Sequence, residues 1–293
     1  MDSGRHAAYK AGMTIPFIKM HGLGNDFVVI DVRGRPLELP AAAVRAISDR
    51  RTGVGCDQLI LIEPPKSAGT AAFMSIRNAD GSEVSACGNA TRCVARLLME
   101  ESGKTEAVIE TLAGQLVVNR SKESNDWIVV DMGHPRLDWQ EIPLAEPADT
   151  LSLDITMGPL SSPVAVSMGN PHAVFFVNNA EAVPLADLGP RVEHHPLFPE
   201  RTNVEIVEVL SPVKLRMRVW ERGTGITSAC GTGACAALVA AVRRGLIQDR
   251  WATLVLDGGE LQIDWWNDDH VLMTGPAAIA FTGILAAELL GGL

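Results

Sequence analysis

Aromatic residues are scarce in this chain, and basic residues are outnumbered by acidic ones. Only 5% of the 293 residues are aromatic, and Tyr occurs once. There are 25 Lys and Arg residues against 35 Asp and Glu residues, so the formal net charge is -10 at pH 7. Binding to a phosphate backbone requires basic surface, and binding to single strands also uses aromatic side chains for base stacking. The composition therefore argues against nucleic acid as a partner.

Long hydrophobic runs are also missing. Residues 234–242 are too few, and residues 276–293 are too interrupted, to provide the roughly 20 apolar residues of a membrane span. Residues 1–12 are small and polar and lack the apolar stretch of a signal peptide, so we expect a loosely ordered extension there. The odd number of cysteines, five, favours free thiols in a reducing compartment. We expect a cytoplasmic protein with no membrane contact.

Short apolar or alternating segments, separated by Gly, Pro and Asn, recur throughout the chain and predict β-strands. Four longer segments predict helices, at residues 40–49, 89–99, 183–193 and 233–244. This combination predicts a mixed α/β (α+β) fold, and the length is typical of two domains. Residues 134–150 contain several prolines and no periodicity, so they are the candidate linker.

Two Cys-Gly pairs mark a weak internal repeat. Cys87 and Cys230 each precede a predicted helix, and an Asn lies at a similar distance before each of them. The separation from Asn25 to Cys87 is 87 − 25 = 62 residues, and that from Asn170 to Cys230 is 230 − 170 = 60 residues. We expect halves at residues 13–132 and 133–275, with residues 276–293 returning to the first. Two facing copies of one unit would bring both thiols to one cleft.

A position directly before a helix affects the reactivity of these two thiols. Unpaired N–H groups and the helix dipole at a helix N-terminus stabilise a thiolate and lower its pKa. The N–H groups of Gly88-Asn89 and Gly231-Thr232 would also bind an anion such as a carboxylate. The other three thiols are expected to be packing residues, at Cys56, Cys93 and Cys235.

Other interpretations of these residues remain open. A thiol-based redox or zinc-binding protein is one, although only Cys230 and Cys235 have a spacing typical of zinc ligands, and no His is close to them. Residues 231–236 match the dinucleotide-binding pattern G-x-G-x-x-A, but a polar turn precedes them where that pattern needs a buried strand. The asparagines near the Cys-Gly pairs are also ordinary turn residues.

A set of motifs in a fixed order resembles the diaminopimelate epimerase family. They are residues 21–27 (HGLGNDF), 53–58 (GVGCDQ), 78–83 (NADGSE), 86–89 (ACGN), 169–172 (GNPH), 201–203 (RTN), 221–223 (ERG) and 229–235 (ACGTGAC). The resemblance runs from about Met13 to the C-terminus. Proline and hydroxyproline racemases are the alternative within the same fold, but they tend to carry His after the first Cys-Gly, where this chain has Asn89.

The resemblance implies two pseudo-symmetric domains, each a mixed sheet or barrel wrapped around a central helix, with the active site between them. It implies interconversion of L,L-diaminopimelate and meso-diaminopimelate, for lysine and peptidoglycan precursor synthesis. It further implies that the enzyme needs no cofactor, no pyridoxal phosphate and no metal. The expected assembly is a homodimer.

Matching positions give the residues that the resemblance implies for the site. Cys87 and Cys230 correspond to the acid/base pair, and His172 and Glu221 to residues that tune the pKa of the thiols. The positions that correspond to substrate contacts are Asn25, Gln58, Asn78, Gly88, Asn89, Asn170, Asn203, Glu221, Arg222, Gly231 and Thr232. Two thiols suit this chemistry, because inversion at carbon needs a base on one face and an acid on the other.

Overall fold

The computed structural model describes residues 14–122, 124 and 126–290. Residues 1–12, where the sequence predicts a loosely ordered extension, lie outside the described residues. The chain divides into two compact units. Within the described residues, one unit contains residues 14–21, 26–115 and 278–290, and the other contains residues 22–25 and the described part of 116–277. Among the helices of the described residues, none has the length and apolar character needed to cross a membrane.

The described residues form short strands with a few helices among them. The strands are β1 (Ile15–Gly22), β2 (Asn25–Asp31), β3 (Gln58–Glu63), β4 (Ala72–Asn78), β5 (Glu83–Val84), β6 (Glu106–Thr111), β7 (Gly114–Arg120), β8 (Trp127–Asp131), β9 (Thr156–Met157), β10 (Leu160–Ser161), β11 (Val164–Ser167), β12 (Pro171–Phe176), β13 (Asn203–Ser211), β14 (Lys214–Glu221), β15 (Gly225–Ile226), β16 (Trp251–Leu256), β17 (Gly259–Trp265), β18 (Val271–Pro276) and β19 (Ala278–Leu285). The helices are α1 (Ala41–Ser48), α2 (Gly88–Ser102), α3 (Leu185–Glu193), α4 (Gly231–Arg243) and a short 3-10 helix (Ala287–Leu290).

In the first unit, a mixed sheet packs with α1 and α2. β2 is parallel to β3 and β4 is parallel to β6, whereas β3–β4, β4–β5 and β1–β19 are antiparallel. The core contains Val28, Ile47 and Leu59, together with Leu285 and Leu290 from the end of the described chain. The C-terminal strand therefore completes a sheet that begins at β1.

The second unit repeats this arrangement of strands and helices. β12 is parallel to β13 and β14 is parallel to β16, as β2–β3 and β4–β6 are in the first unit. α3 stands between β12 and β13, as α1 does between β2 and β3, and α4 follows β15 as α2 follows β5. The predicted mixed α/β fold and internal repeat are confirmed. The repeated elements are β1–β8 and β11–β18, and β8 packs with the second unit because it pairs with β18.

Helix α4 is the centre of the second unit. It contacts β11, β12, β13, β16, β17 and β18, and the side chains from Ala234 to Ala241 are all buried. Its sequence explains this position, because a helix that is apolar on every side is stable only when surrounded by protein. Strands around the helix hold the residue before it, Cys230, in the interior.

The predicted linker, residues 134–150, packs inside the second unit. Ile142 and Leu144 are buried in the same core as Phe175 and Leu188. A segment that is rich in proline has no periodicity, so its sequence does not show that two of its apolar side chains enter a core.

Candidate active site

The two predicted thiols occupy equivalent positions in the repeat. Cys87 is the N-cap of α2 and Cys230 is the N-cap of α4, both with extended backbone angles. The prediction that each precedes a helix is therefore confirmed. Cys230 is 5% exposed, whereas Cys87 is partly exposed. The remaining three cysteines are buried, which agrees with packing roles, and burial raises the pKa of Cys93 to about 12.

The environment of Cys230 opposes the thiolate. Its sulfur lies 3.4 Å from the Gly233 nitrogen, which donates to it, and 3.5 Å from the Thr232 hydroxyl. Burial raises the pKa of Cys230 well above its ordinary value, and the carboxylates of Glu221 and Glu205 raise it further. The expectation of a lowered pKa at this helix N-terminus is wrong for Cys230, because burial and two acidic neighbours outweigh the helix N–H groups.

Glu221 is the last residue of β14 and lies next to this thiol. The Thr227 hydroxyl donates to its carboxylate, and Cys230 is a further hydrogen-bonding neighbour. Burial raises the pKa of Glu221 in spite of these hydrogen bonds. The structure thus brings together two of the residues that the sequence singled out, Glu221 and Cys230.

His172 is fully buried and is connected to Cys230 through side chains. Its Nδ1 lies 2.7 Å from Glu205 Oε1, and its Nε2 lies 3.0 Å from Asn170 Oδ1. The Asn170 amide nitrogen donates to the Thr232 hydroxyl at 3.3 Å, and that hydroxyl contacts Cys230. The side chains of His172, Asn170 and Thr232 therefore connect the Glu205 carboxylate to the Cys230 sulfur.

Asn203 and Arg222 are held together at the ends of β13 and β14. The Asn203 amide nitrogen donates to the Pro171 carbonyl at 2.9 Å, and its oxygen accepts from the Arg222 backbone N–H at 2.9 Å. The Arg222 guanidinium donates to the Glu200 carbonyl at 3.0 Å and stays exposed. Arg222 therefore has a fixed backbone and an accessible charge.

Asn25 begins β2 and follows a turn that packs with the residues before α4. Gly24 has φ +84, and a Cβ built there would lie 3.5 Å from the Ser228 Cβ. A glycine suits this position, because side chains rarely adopt that backbone conformation.

In the first unit, Gln58 and Asn78 lie opposite each other on β3 and β4. The Gln58 amide nitrogen donates to Asn78 Oδ1 at 3.1 Å, and the Asn78 nitrogen donates to the Ser82 hydroxyl at 3.0 Å. The Gln58 Oε1 atom is buried without a hydrogen-bond partner among the described residues. Buried polar atoms normally have partners, so this oxygen is an acceptor ready for a ligand.

Gly88 and Asn89 open α2, as Gly231 and Thr232 open α4. The Asn89 side chain is buried and accepts from Arg92 at 2.9 Å. The first N–H groups of a helix have no partners within the helix and attract anions. Both pairs are therefore suited to bind a carboxylate.

In the first unit, a cluster of charged side chains around Asp26 links β1, β2 and the residue before β3. Lys19 lies 2.5 Å and Arg50 2.7 Å from the Asp26 carboxylate, which also accepts from the Asp57 backbone N–H at 3.0 Å. Burial alone would raise the pKa of Asp26, but hydrogen bonds from Arg50 and Lys19 outweigh it and hold the pKa well below its usual range. This cluster fixes the residue that precedes Gln58.

Strand register shows that the halves differ in charge at equivalent positions. Phe27 pairs with Gln58 in the first half, as His172 pairs with Asn203 in the second. By the same register, Ile60 is the counterpart of Glu205. The last residue of β4 is Asn78, where β14 ends in Glu221. The ionisable neighbours are thus specific to the half that contains Cys230.

Sequence reasoning missed two buried charged residues, Glu205 and Arg92. Both are 0% exposed. Glu205 interrupts an apolar strand two positions after Asn203, and Arg92 interrupts an apolar helix five positions after Cys87. A lone charge in an apolar element is the signal that could have found them, because charged residues are rarely fully buried unless they are paired.

Among the described side chains, no group of three or more His, Cys, Asp and Glu is placed to hold a metal ion.

Relatives with high sequence identity share one name. A family model described as diaminopimelate epimerase matches residues 17–137 and 164–280. A diaminopimelate epimerase from Rhodospirillum centenum is 59% identical over 276 residues, which cover 94% of this chain and 94% of that protein. One from Phenylobacterium zucineum is 59% identical over 279 residues, which cover 94% of this chain and 99% of that protein.

Solved structures with low sequence identity share the fold. A PhzF-family phenazine biosynthesis protein from Bacillus anthracis has a TM-score of 0.68 at 17% identity, and the match covers 94% of this chain and 99% of that one. A hydroxyproline epimerase from Agrobacterium vitis, solved with bound trans-4-hydroxy-L-proline, has a TM-score of 0.67 at 16% identity, over 98% of this chain and 96% of that one. The similarity to these solved structures confirms the predicted two-domain fold. The family model and the relatives with high sequence identity confirm the predicted family. The chain belongs to the diaminopimelate epimerase family.

Proposed function

We propose that this protein interconverts L,L-diaminopimelate and meso-diaminopimelate by moving a proton at one α-carbon between Cys87 and Cys230. The observation that carries this proposal is the placement of the two thiols as N-caps of equivalent helices, in a chain that is 59% identical to proteins named for this reaction. An inversion needs a base and an acid on opposite faces of the carbon, and two thiols supply both.

The charges around Cys230 favour one assignment for the resting enzyme. Cys230 is the thiol, since burial and acidic neighbours raise its pKa. Cys87 is the thiolate and removes the α-hydrogen as a proton, while the electron pair of the C–H bond stays on the substrate. The Cys230 thiol then donates its proton to the opposite face and becomes the thiolate. In the reverse reaction the two residues exchange roles.

Negative charge develops on the α-carboxylate during this transfer. Backbone N–H groups at the starts of α2 and α4, from Gly88, Asn89, Gly231 and Thr232, are suited to stabilise it. Such preorganised donors contribute most where charge appears only in the transition state. With two thiols as acid and base, we propose that the reaction uses no cofactor and no metal.

The distal end of the substrate carries a carboxylate and an ammonium group. We assign the carboxylate to Arg222, whose guanidinium is exposed on a fixed backbone. The ammonium is assigned to the acceptors Glu221 and Gln58, since the Gln58 oxygen lacks a hydrogen-bond partner among the described residues. The remaining proposed substrate contacts are Asn25, Asn78, Asn170 and Asn203. His172 and Glu221 are proposed to tune the pKa of the thiols.

We propose that the two functional halves of the chain are residues 13–132 together with 276–293, and residues 133–275.

We further propose a cytoplasmic homodimer that uses β19, with no nucleic acid or membrane partner. β19 exposes Ile279, Phe281 and Ile284 to 40–63% although it pairs with β1. Several exposed apolar side chains on one strand favour association with another protein surface. Light scattering after gel filtration should give twice the chain mass, and Phe281→Asp should lower it. A monomeric wild-type protein would refute the dimer.

The proposed reaction is tested by incubating the purified protein with L,L-diaminopimelate in deuterium oxide. We expect meso-diaminopimelate on chiral chromatography, with deuterium at the inverted α-carbon. Proline and trans-4-hydroxyproline serve as competing substrates. Inversion of either of these in place of diaminopimelate would overturn the proposal and favour the alternative racemase activity.

A further inference from the structure

Glu205 is a buried acid whose presence is not explained by packing. It is 0% exposed, and its Oε2 atom lacks a hydrogen-bond partner among the described residues. A buried carboxylate with one unsatisfied oxygen is costly in free energy. Its other oxygen contacts His172, which is also 0% exposed. Because burying Glu205 and His172 together costs free energy, stability does not explain why this pair is present.

The Asn170 amide determines where His172 carries a proton. Its nitrogen donates to Thr232, so its oxygen faces His172 Nε2 and can only accept. Nε2 therefore carries a hydrogen. The opposite nitrogen, Nδ1, then shares one proton with Glu205 Oε1 across 2.7 Å.

The far end of this chain of hydrogen bonds reaches the sulfur. Thr232 receives the Asn170 hydrogen bond and lies 3.5 Å from Cys230 Sγ. Glu205 also lies close to Cys230 across Gly233. A Cβ at Gly233 would lie 2.8 Å from Glu205 Oε1 and 3.3 Å from Cys230 Sγ, so the absence of a side chain there leaves room for both groups. The Glu205 carboxylate and the Cys230 thiol are thus both packed against the first turn of α4.

We propose that Glu205 is a positioning residue for proton transfer at Cys230. It fixes the ring of His172 with a hydrogen on Nε2 and, through Asn170 and Thr232, fixes the direction in which the Cys230 sulfur exchanges its proton. The effect on turnover rests on the proposed function, whereas the hydrogen-bonding chain does not. The first half has Phe27 and Ile60 at the equivalent positions, so this device serves one thiol only.

Two substitutions separate a positioning role from one that depends on the carboxylate charge. In Glu205→Gln, the side-chain amide can donate a hydrogen bond to His172 Nδ1, so the ring position is kept while the carboxylate is removed. We expect kcat within about threefold of wild type. Glu205→Leu removes the partner, and we expect kcat to fall about 10- to 100-fold, as when a residue that orients a buried histidine is lost. KM should change less than kcat, because Glu205 does not itself contact the substrate and acts on it only through Asn170 and Thr232.

The matched control is Glu208→Leu on the same strand, because Glu208 accepts from the Ala180 N–H and not from His172. This variant should keep the wild-type kcat. Equal losses of kcat in Glu205→Gln and Glu205→Leu would overturn the positioning role, as would an unchanged kcat in Glu205→Leu.

Nitrogen-15 NMR of the histidine rings tests the chain of hydrogen bonds without activity, and decides the question if Glu205→Leu does not fold. We expect a hydrogen on His172 Nε2 in both the wild type and Glu205→Gln. A neutral ring protonated on Nδ1 alone in the wild type would overturn the inference. If the wild type fails to convert L,L-diaminopimelate, the proposed function fails, while these spectra still decide the arrangement around His172.

Discussion

Replacing Glu221 by Gln isolates the charge next to Cys230. The amide has almost the same shape, and its oxygen can still accept from the Thr227 hydroxyl. The change therefore removes one negative charge and leaves the packing in place. Of the two carboxylates that raise the pKa of Cys230, Glu221 has the larger effect and Glu205 the smaller.

The size of the effect follows from the distance between the groups. Two unit charges about 4 Å apart interact by about 4 kcal/mol at an effective dielectric constant of about 20. A fully ionised Glu221 would therefore disfavour the Cys230 thiolate by an energy of this order, which raises the pKa of the thiol. Burial raises the pKa of Glu221 itself and lowers its mean charge. We expect the pKa of Cys230 to fall in the variant, because the larger of the two carboxylate contributions is removed.

The assay is the pH dependence of kcat/KM in the direction from L,L- to meso-diaminopimelate. The alkaline limb of this profile reports loss of the proton from the acid of the free enzyme, here Cys230. A lower thiol pKa moves that limb to lower pH. The maximum should also fall, since Glu221 is a proposed substrate contact, but the position of the limb is the quantity that tests the reasoning.

Glu260→Gln is the control, because that exposed carboxylate pairs with Lys214 and should leave the profile unchanged. The rate of alkylation of the Cys230 peptide against pH provides an independent measure of the same proton. An alkaline limb that stays in place, or moves to higher pH, would refute the electrostatic assignment of Cys230 as the resting thiol.

Three further predictions follow from the structure. Cys87→Ala and Cys230→Ala should each lower kcat/KM by about 10²- to 10⁴-fold, as expected for loss of a general acid or base, and a near wild-type rate in either would contradict the two-thiol mechanism. Asp26→Asn should cost about 1–3 kcal/mol of unfolding free energy at pH 7 in urea titrations. The pKa of Asp26 is lowered in the folded protein, so its contribution is present above about pH 4 and is lost as pH falls toward the folded pKa, and the wild type and variant should converge below pH 4. Gly258→Ala should lower the thermal midpoint by several degrees or prevent folding, because the new Cβ would lie 1.9 Å from the Leu23 carbonyl oxygen, and an unchanged midpoint would show that this backbone contact is wrong.

Local features of the candidate active site were predictable from the sequence. Cys87 and Cys230 each stand before Gly and an apolar run, which is enough to predict a helix start, and both are N-caps. The motif order predicted the family. These inferences succeed because the information lies within a few residues.

Features that depend on strand pairing were not predictable. Glu205 is 33 residues from His172, and only the parallel register of β12 and β13 brings them together. The raised pKa of Cys230 likewise comes from burial and from carboxylates on two other strands. A rule about helix N-termini takes account of neither, so it gave the wrong direction for this thiol.

The pairing of β19 with β1 has a consequence for the order of assembly during synthesis. Ile15 lies opposite Leu285, so the outer part of the first sheet joins residues from nearly the whole length of the chain. Leu285 and Leu290 then complete the core around Ile47 and Leu59. Loop closure over such a separation is slow compared with local pairing. During synthesis, the strands from β11 to β15 can pair before β19 emerges from the ribosome, so the sheet that begins at β1 is completed late.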